Sequence, residues 1–266
     1  MFVTFLSDFG LKDGFVGTCH GVIKTIAPEA QVIDITHGIP PQAVLQGALV
    51  LANTVPYMPV GVHLAIVDPG VGGPRRSLAL QDAHGRFYVG PDNGLLLPAA
   101  GKAGVTAAHE IVNPAFALKS ISRTFHGRDL FSPAAAHLAR GVALSELGPP
   151  LDPEWLVRLE LPPLAVEDGV IIATSLYIDG FGNIALNMTR DDVEQLGIVS
   201  GTRLELEHAG ERYYAVMART FADARPGDVI LYEDSFKNMA VAISRGNAAS
   251  MLHAAPGQKI RISLVR

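Results

Sequence analysis

Short buried strands alternate with helical patterns in the first half of the chain. Apolar runs at residues 2–6, 32–35 and 62–67 have the length and composition of buried strands. Between them, apolar residues recur at helical spacing, at Phe15, Cys19, Val22 and Ile26 and then at Val44, Ala48, Leu51 and Val55. This βαβαβ pattern is typical of a parallel sheet that helices cover on both faces. Polar residues follow each strand, at the edge where open α/β sheets bind ligands.

The pattern changes after a predicted helix at residues 129–139 and a proline-bearing stretch at residues 148–163. Beyond it, Leu204 and Leu206 alternate with charged residues, which is typical of half-buried antiparallel strands. We therefore predict an N-terminal α/β domain with a largely parallel central sheet over residues 1–150, a linker over 151–165, and a small antiparallel β-barrel domain over 166–266. A sandwich is the alternative for the second domain.

Composition and charge exclude several classes of protein. The chain is 48% hydrophobic and 18% charged, as in a compact globular protein rather than a disordered one. A net charge of -5, without a run of Lys or Arg, argues against a nucleic-acid partner. We find no signal peptide, and Pro56 and Pro59 interrupt the most apolar region, so we expect a cytoplasmic protein without a membrane partner. The single cysteine, Cys19, lies on an apolar helix face and is predicted to be a buried core thiol.

Several common catalytic motifs are missing from the sequence. It contains no G-x-x-x-x-G-K-[ST] loop, no H-E-x-x-H, no C-x-x-C and no G-x-S-x-G. The nine histidines show no metal-ligand spacing, so we predict no metal. Gly70, Gly72 and Gly73 precede Pro74 and two arginines, which indicates a turn rather than a dinucleotide-binding helix.

Five segments combine strand ends, glycines and polar side chains, the composition of binding loops on a rigid scaffold. They are residues 7–14, 67–75, 90–94, 124–129 and 179–183. Each also has a purely structural interpretation. Asp13 and Asp129 could cap helices, Asn93 could belong to a simple turn, Asp68 could end a strand, and Arg75 could lie on the surface.

Seven ordered motifs are similar to those of one enzyme family over essentially the whole chain. They are SDFG, VDPGVGG-PRR, VGPDNGLL, TFHGRD, IDGFGN, TFAD and GNAAS. The chain resembles the S-adenosylmethionine hydroxide adenosyltransferase family, which is related to fluorinating and chlorinating enzymes that use the same substrate. The resemblance implies hydrolysis of S-adenosylmethionine to adenosine and methionine without a cofactor. It also implies an α/β domain, a β-barrel domain, and a homotrimer with active sites between neighbouring subunits.

The resemblance implies a role for thirteen residues. Asp68, Arg75 and His126 match the catalytic set. Asp8 would hold the ribose hydroxyls, Asp179 the methionine ammonium group and Ser235 the methionine carboxylate. The adenine pocket would be formed by Phe181, Asn183, Phe221 and Ala248. Asn93 and Asn247, which lie in the motifs, and Asp13, which follows SDFG, are expected as further substrate-binding residues.

In the implied reaction, the main task of the enzyme is to orient and activate the water nucleophile. The sulfonium is already a good leaving group, so water must be oriented in line with the bond from C5′ to sulfur. Arg75 could stabilise developing negative charge, His126 could donate a hydrogen bond or accept a proton, and Asp68 could orient both. The residues alone leave open which group removes the proton.

The chain departs from its halogenating relatives at two positions and from one relative at a third. Halogenating enzymes have tyrosine in place of Asp68, and the fluorinating branch has serine in place of Gly127. Phe236 replaces an arginine of one relative, and the segment from Ser235 to Asn247 is longer here. A chlorinating enzyme, a non-catalytic sensor of S-adenosylmethionine or adenosine, and a nucleotide-binding protein are the alternatives.

Overall fold

The computed structural model describes residues 1–265 and divides into two compact units, Met1–Leu159 and Glu160–Arg266. The division falls inside the predicted linker. The first part of that linker belongs to the N-terminal unit, because Leu156 is buried in its core and the backbone N–H of Val157 donates to the Asp92 carboxylate. Within residues 1–265, no helix is long and apolar enough to cross a membrane.

The N-terminal unit contains a six-stranded sheet in the order β2-β1-β3-β5-β4-β6. Its strands are β1 (Phe2–Ser7), β2 (Gln31–Thr36), β3 (Gly61–Ile66), β4 (Ser77–Asp82), β5 (Phe87–Pro91) and β6 (Val105–Glu110). The strands β2, β1, β3 and β5 are parallel, whereas β4 pairs antiparallel with both β5 and β6. The predicted largely parallel sheet is therefore confirmed.

Helices cover both faces of this sheet, as the βαβαβ pattern predicts. They are α1 (Phe15–Ile26), α2 (Val44–Thr54), α3 (Leu97–Ala100) and α4 (Ser132–Ala139). Side chains of α1 and α4 form one apolar cluster with Phe5 and Leu64, and those of α2 and α3 form another with Leu6 and Ala65. Adjacent strand residues thus enter different clusters because their side chains point to opposite faces of the sheet.

Two local features refine this picture. Cys19 is fully buried, as predicted, and burial raises the pKa of its thiol to about 11. The predicted helix at residues 129–139 is instead a wide turn of π-helix, Gly127–Phe131, followed by α4. Single-turn 3₁₀ helices also occur at Val55–Tyr57, Pro114–Phe116, Leu144–Leu147 and Pro153–Trp155.

The C-terminal unit is a closed β-barrel, which confirms the barrel over the sandwich. Its strands are β7 (Ala165–Glu167), β8 (Val170–Ile178), β9 (Ile184–Thr189), β10 (Arg203–His208), β11 (Glu211–Met217), β12 (Val229–Glu233), β13 (Asn238–Ile243) and β14 (Lys259–Leu264). They follow the order β14-β10-β11-β12-β13-β9-β8, with β7 beside β8, and the pairing of β14 with β8 closes the barrel. The pair β11–β12 is parallel, and the other described pairs are antiparallel. Short helices α5 (Arg190–Glu194), α6 (Ala248–Leu252) and the 3₁₀ turn Phe221–Asp223 connect strands.

Candidate active site

Asp68, Arg75 and His126 form one continuous hydrogen-bonded set in the N-terminal unit. The Arg75 Nε donates to both carboxylate oxygens of Asp68 at 3.0 and 3.1 Å, and Arg75 Nη2 donates to Asp68 Oδ2 at 2.7 Å. Arg75 Nη2 also lies 2.7 Å from His126 Nδ1. Only 10% of the Arg75 side chain and 7% of the Asp68 side chain are exposed, so water competes weakly for this pair. The interpretation of Arg75 as an ordinary surface residue is therefore wrong.

Backbone contacts hold the two loops that carry this set. Gly72 adopts a left-handed conformation with φ +76°, and a Cβ there would collide with the carbonyl oxygen of Arg123. Only glycine fits such a close approach of two backbones. The loop that presents Arg75 is thereby seated against the loop that leads to His126. The Arg75 guanidinium carbon lies 5.1 Å from the centroid of the Phe131 ring, so a cation–π contact also holds the arginine.

The bond to Arg75 determines the tautomer of His126. Arginine has only donors, so His126 Nδ1 must accept this hydrogen bond, and the neutral ring then carries its proton on Nε2. Burial and the nearby Arg75 charge lower the pKa of His126, although Asp68 and Asp129 act in the opposite direction. His126 is therefore held neutral, with Nε2–H as a donor rather than a free base.

His126 and Asp68 line a cavity of about 290 Å³ together with Asp8. Asp8 follows β1 and Asp68 follows β3, and these adjacent parallel strands end at the same edge of the sheet. The Asp8 carboxylate accepts a hydrogen bond from the backbone N–H of Gln42 at 2.9 Å, and Gln42 adopts φ +66°. This bond fixes one carboxylate oxygen while the carboxylate retains lone pairs for two hydroxyl donors.

Two other polar residues of the N-terminal segments, Asn93 and Asp13, lie outside this cavity. Asn93 Nδ2 donates to the Val67 carbonyl at 2.8 Å and Asn93 Oδ1 accepts from Leu95 N, so its amide supports the residue that precedes Asp68. Asp13 is exposed, and over the described residues α1 has no side-chain cap, so its capping interpretation is wrong. Neither Asn93 nor Asp13 is among the residues that line the cavity.

Asp129 does not cap a helix either. Its buried carboxylate accepts hydrogen bonds from Arg128 and from the backbone N–H of Ser122. Burial alone would raise the pKa of Asp129, but these hydrogen bonds and the Arg128 charge lower it. The capping interpretation is wrong, and Asp129 instead ties the start of the π turn to the preceding loop.

A second pocket, of about 1060 Å³, lies in the C-terminal unit and contains most of the predicted substrate-binding residues. Its lining includes Asp179, Phe181, Asn183, Phe221, Ser235 and Asn247. Ala248 is fully buried at the start of α6, directly after Asn247. Phe181 and Phe221 are 81% and 44% exposed, which leaves two aromatic faces available to a flat ligand.

Asp179 organises the turn between β8 and β9. Its Oδ1 accepts from the backbone N–H groups of Phe181 and Asn183, and its Oδ2 accepts from the Asn183 side chain. Gly182 in this turn has φ +83°, and a Cβ there would collide with the Asn247 side chain. Asn247 in turn caps α6 by accepting from Ser250 N at 2.7 Å. The motifs IDGFGN and GNAAS are thus packed directly against each other.

Sequence reasoning missed three residues of this pocket or its rim. Asp234 repeats the Asp179 turn, since its Oδ1 accepts from the backbone N–H groups of Phe236 and Asn238. Tyr232 and Arg245 line the pocket. The repeated spacing D-x-F-x-N at residues 179–183 and 234–238 was a sequence signal for the second turn. Arg245 had no such signal, because it lies immediately before the GNAAS motif and is not part of it.

The pocket is electronegative around Tyr232. Burial, with the adjacent Asp179 and Asp234 charges, raises the pKa of Tyr232 to about 12, so its phenol stays neutral. Burial also raises the pKa of Asp234, although hydrogen bonds from the turn counteract this effect. Two carboxylates beside an aromatic wall suit a cationic ligand.

Comparison with known proteins identifies the family to which both units of the chain are similar. Family models for the SAM hydroxide adenosyltransferase N-terminal and C-terminal domains match residues 3–148 and 173–261. The chain belongs to the SAM hydroxide adenosyltransferase family. The (R)-S-adenosyl-L-methionine hydrolase of Salinispora arenicola is 47% identical over 98% of this chain and 97% of its own. A fluorinase of Nocardia brasiliensis is 30% identical over 94% of this chain and 92% of its own.

The family fold is also present among solved structures. An uncharacterized conserved protein from Thermotoga maritima has a TM-score of 0.90 and 33% identity, covering 98% of this chain and 99% of that one. The hydrolase from Salinispora arenicola is thus more similar to this chain than the fluorinase from Nocardia brasiliensis is.

Proposed function

We propose that this chain hydrolyses S-adenosyl-L-methionine to adenosine and methionine. The observation that carries the proposal is the Asp68–Arg75–His126 set, which ends in a neutral imidazole on the cavity that Asp8 also lines. The relative from Salinispora arenicola, named as a hydrolase of this substrate, supports the same activity.

In the proposed reaction, the oxygen of water attacks C5′ as the bond from C5′ to sulfur breaks. The sulfonium becomes the thioether of methionine, and the water ends as the 5′ hydroxyl of adenosine after release of one proton. His126 Nε2–H donates to the attacking oxygen and aligns one of its lone pairs with C5′. Holding the two reactants in this geometry supplies a large part of the rate enhancement.

Asp68 and Arg75 act by positioning His126. Both oxygens of Asp68 accept hydrogen bonds from Arg75, and Arg75 Nη1 donates to Ser77 Oγ at 2.7 Å. A guanidinium held on three sides keeps His126 in one tautomer, so that its Nε2–H stays available to orient the water. The released proton passes to solvent rather than to a side chain of this set.

The remaining residues divide the substrate between the two pockets. Asp8 binds the ribose hydroxyls, while Phe181, Asn183, Phe221 and Ala248, with Asn247 at the rim, hold the adenine ring. Asp179 attracts the methionine ammonium group, and Ser235 binds its carboxylate. Arg245, which lines the same pocket as Ser235, supplies the cation that the replacement of arginine by Phe236 removes.

We further propose a homotrimer in which each active site combines the N-terminal cavity of one subunit with the C-terminal pocket of its neighbour. Each pocket holds only part of the expected substrate contacts, so the complete site requires both. The roles of Asp13 and Asn93 in substrate binding, the lack of a cofactor and the cytoplasmic location stay predictions.

Chlorination is the second candidate, because fluorinases are among the relatives. The space beside Gly127 argues against a halide site of the fluorinase kind. A Cβ at Gly127 would lie 2.9 Å from Phe9 Cζ and 3.3 Å from Ile66 Cδ1, so a serine there would displace the Phe9 ring.

The decisive experiment is turnover in ¹⁸O-water, with and without chloride, followed by mass spectrometry of the nucleoside. We expect adenosine with ¹⁸O at its 5′ oxygen, and a loss of about 10²–10³-fold in kcat for His126→Ala, the typical cost of removing one positioned hydrogen-bond donor. His84→Ala, at an exposed position outside the cavity, is the matched control and keeps full activity. A chlorinated nucleoside supports the halogenase, and tight binding without turnover supports a sensor; either result overturns hydrolysis.

A further inference from the structure

Two histidines and an aspartate converge behind the loop that carries Asp8. His20 lies on α1, Asp34 on β2, and His37 directly follows β2. His20 Nε2 is 2.8 Å and His37 Nε2 is 3.1 Å from the same oxygen, Asp34 Oδ1. One ligand atom from each of the three residues lies within 4.8 Å of the others.

His37 is the buried member of this cluster, and one of its nitrogens lacks a partner. Its side chain is 3% exposed, and Nε2 has no hydrogen-bond partner of acceptable geometry among residues 1–265. A buried polar atom without a partner is costly, and it commonly marks a place for an ion or water. Nε2 lies 3.1 Å from Asp34 Oδ1 without a hydrogen bond between them, so an ion that contacts both atoms would supply the missing partner.

The other nitrogen of His37 is already oriented by the protein. His37 Nδ1 lies 2.8 Å from Ser7 Oγ, and this hydroxyl is buried with it. A metal-binding histidine characteristically uses its second nitrogen in such a hydrogen bond, which fixes the ring and leaves the opposite lone pair for the metal. When Ser7 Oγ accepts the Nδ1 proton, His37 Nε2 and the Asp34 carboxylate face each other as two acceptors.

We propose that His20, Asp34 and His37 form a zinc-binding site. Two imidazoles and one carboxylate are a common set of three zinc ligands, with water in the fourth position, whereas Mg²⁺ and Ca²⁺ prefer oxygen. Zinc bonds of about 2.0–2.1 Å place neighbouring ligand atoms about 3.3 Å apart in a tetrahedron. The two distances to Asp34 Oδ1, 2.8 and 3.1 Å, are both slightly shorter than this spacing, and the partly exposed His20 ring has room to move outward.

Bound zinc would stabilise the segment that carries Asp8 as well as the contact between α1 and β2. The His37 carbonyl accepts from Gly10 N at 2.8 Å, and Ser7 immediately precedes Asp8. An ion at this position therefore joins α1 and β2 to the segment that presents Asp8. The histidine spacing in the sequence did not indicate the site, because His20 and His37 belong to different elements that only the fold brings together.

The test is zinc binding to chelator-stripped protein, measured by competition with a chromophoric zinc indicator. We expect one zinc per wild-type chain, and affinity weakened by at least roughly 10-fold in His20→Gln and Asp34→Asn, the lower limit for disturbing even an outer partner. His84→Gln removes an exposed histidine elsewhere and keeps wild-type affinity. Co²⁺ should give the visible absorption of a tetrahedral nitrogen and oxygen site in wild type, and lose it in His20→Gln.

Zinc should also raise the thermal midpoint of the wild-type protein but not that of His20→Gln. His20 is only partly buried, so this variant is expected to fold, and circular dichroism checks that it does. Stoichiometry well below one zinc per chain, or equal affinity in wild type, His20→Gln and Asp34→Asn, overturns the proposal. None of these measurements depends on hydrolase activity, so the zinc site and the proposed function can fail separately.

Discussion

A single hydrogen bond, from Arg75 to His126 Nδ1, determines what the imidazole can do. Without it, either ring nitrogen could carry the proton, and His126 could act as base or as donor. With it, the neutral ring presents Nε2–H. In the reaction we propose, the histidine therefore orients the nucleophile instead of deprotonating it. A residue pattern reveals that Arg75 and His126 are both present, but only coordinates reveal which nitrogen is engaged.

This geometry predicts the pH dependence of turnover. The pKa of His126 is lowered from 6.5 by burial and by Arg75, so the neutral, active form should persist below pH 6.5. As pH falls further, protonation of Nδ1 breaks the bond to Arg75 and activity is lost. Measured as kcat against pH, the acidic limb of the wild-type profile should have its midpoint below 6.5.

Arg75→Gln provides the comparison for this prediction. It removes the positive charge, so the remaining activity should show a midpoint shifted upward, towards the ordinary histidine value. A wild-type midpoint above 6.5, or one that Arg75→Gln leaves unchanged, would show that another group controls the limb.

Single residues were predicted unevenly from the sequence. The motifs indicated Asp8, Asp68 and His126, and the fold brings them to one cavity because parallel strands end at one edge. Capping of helices by Asp13 and Asp129 was plausible from residue type and wrong, because capping depends on where the helix begins. Arg245 could not be predicted, since its position depends on the path of the turn after β13.

At the level of elements, two similar turns lie beside the C-terminal pocket. The turns after β8 and β12 both place an aspartate under two backbone N–H groups and project a phenylalanine outward. The first of them also packs against Asn247, so the turn and α6 form one unit. Such a junction tolerates little change at its glycine.

Gly182→Ala tests the importance of this junction. The methyl group would meet the Asn247 side chain while the backbone stays at φ +83°, so both clash and strain oppose it. We expect the free energy of unfolding in urea to fall by more than about 1 kcal/mol, and the affinity for S-adenosylmethionine, measured by calorimetry, to fall as well.

Gly210→Ala is the matched control for this variant. Gly210 has a similar φ of +85° with open space around its would-be Cβ, so this change carries the backbone strain without the clash. Equal loss of stability in both variants, with unchanged ligand affinity, would refute a specific role of the Gly182–Asn247 contact.

Most elements were predictable because burial imposes a period on the sequence. The three parallel strands and the helices α1 and α2 agree with the predicted βαβαβ order. The π turn before α4 and the parallel pairing of β11 with β12 were not predicted. Both depend on hydrogen bonds between residues that no periodicity connects.

For the whole molecule, the proposed trimer predicts that two inactive variants can complement each other. His126→Ala is expected to disable the N-terminal cavity, and Phe181→Asp places a charge in the C-terminal pocket that we propose for adenine, at an 81% exposed position. In randomly mixed trimers with intersubunit sites, about a quarter of the sites would have both halves intact. We expect this fraction of wild-type activity after co-refolding, and a particle mass three times the 28.2 kDa of one chain.

Co-refolding each variant with itself gives the baseline for this experiment. Activity of the mixture no higher than that baseline would mean that both halves of a site come from one chain. The sequence could suggest the trimer only through family resemblance, because one sequence does not show which surface of the chain contacts another subunit.

The rate at which the buried Cys19 thiol is alkylated would report on local unfolding of the N-terminal unit. It is the chain's only cysteine, it has no exposed surface, and its pKa of about 11 keeps it protonated at neutral pH. Alkylating reagents can therefore reach it only when α1 separates from the parallel sheet. A cysteine engineered at any surface position would be labelled alone in the native state, so fluorophores could be attached without first removing a natural thiol.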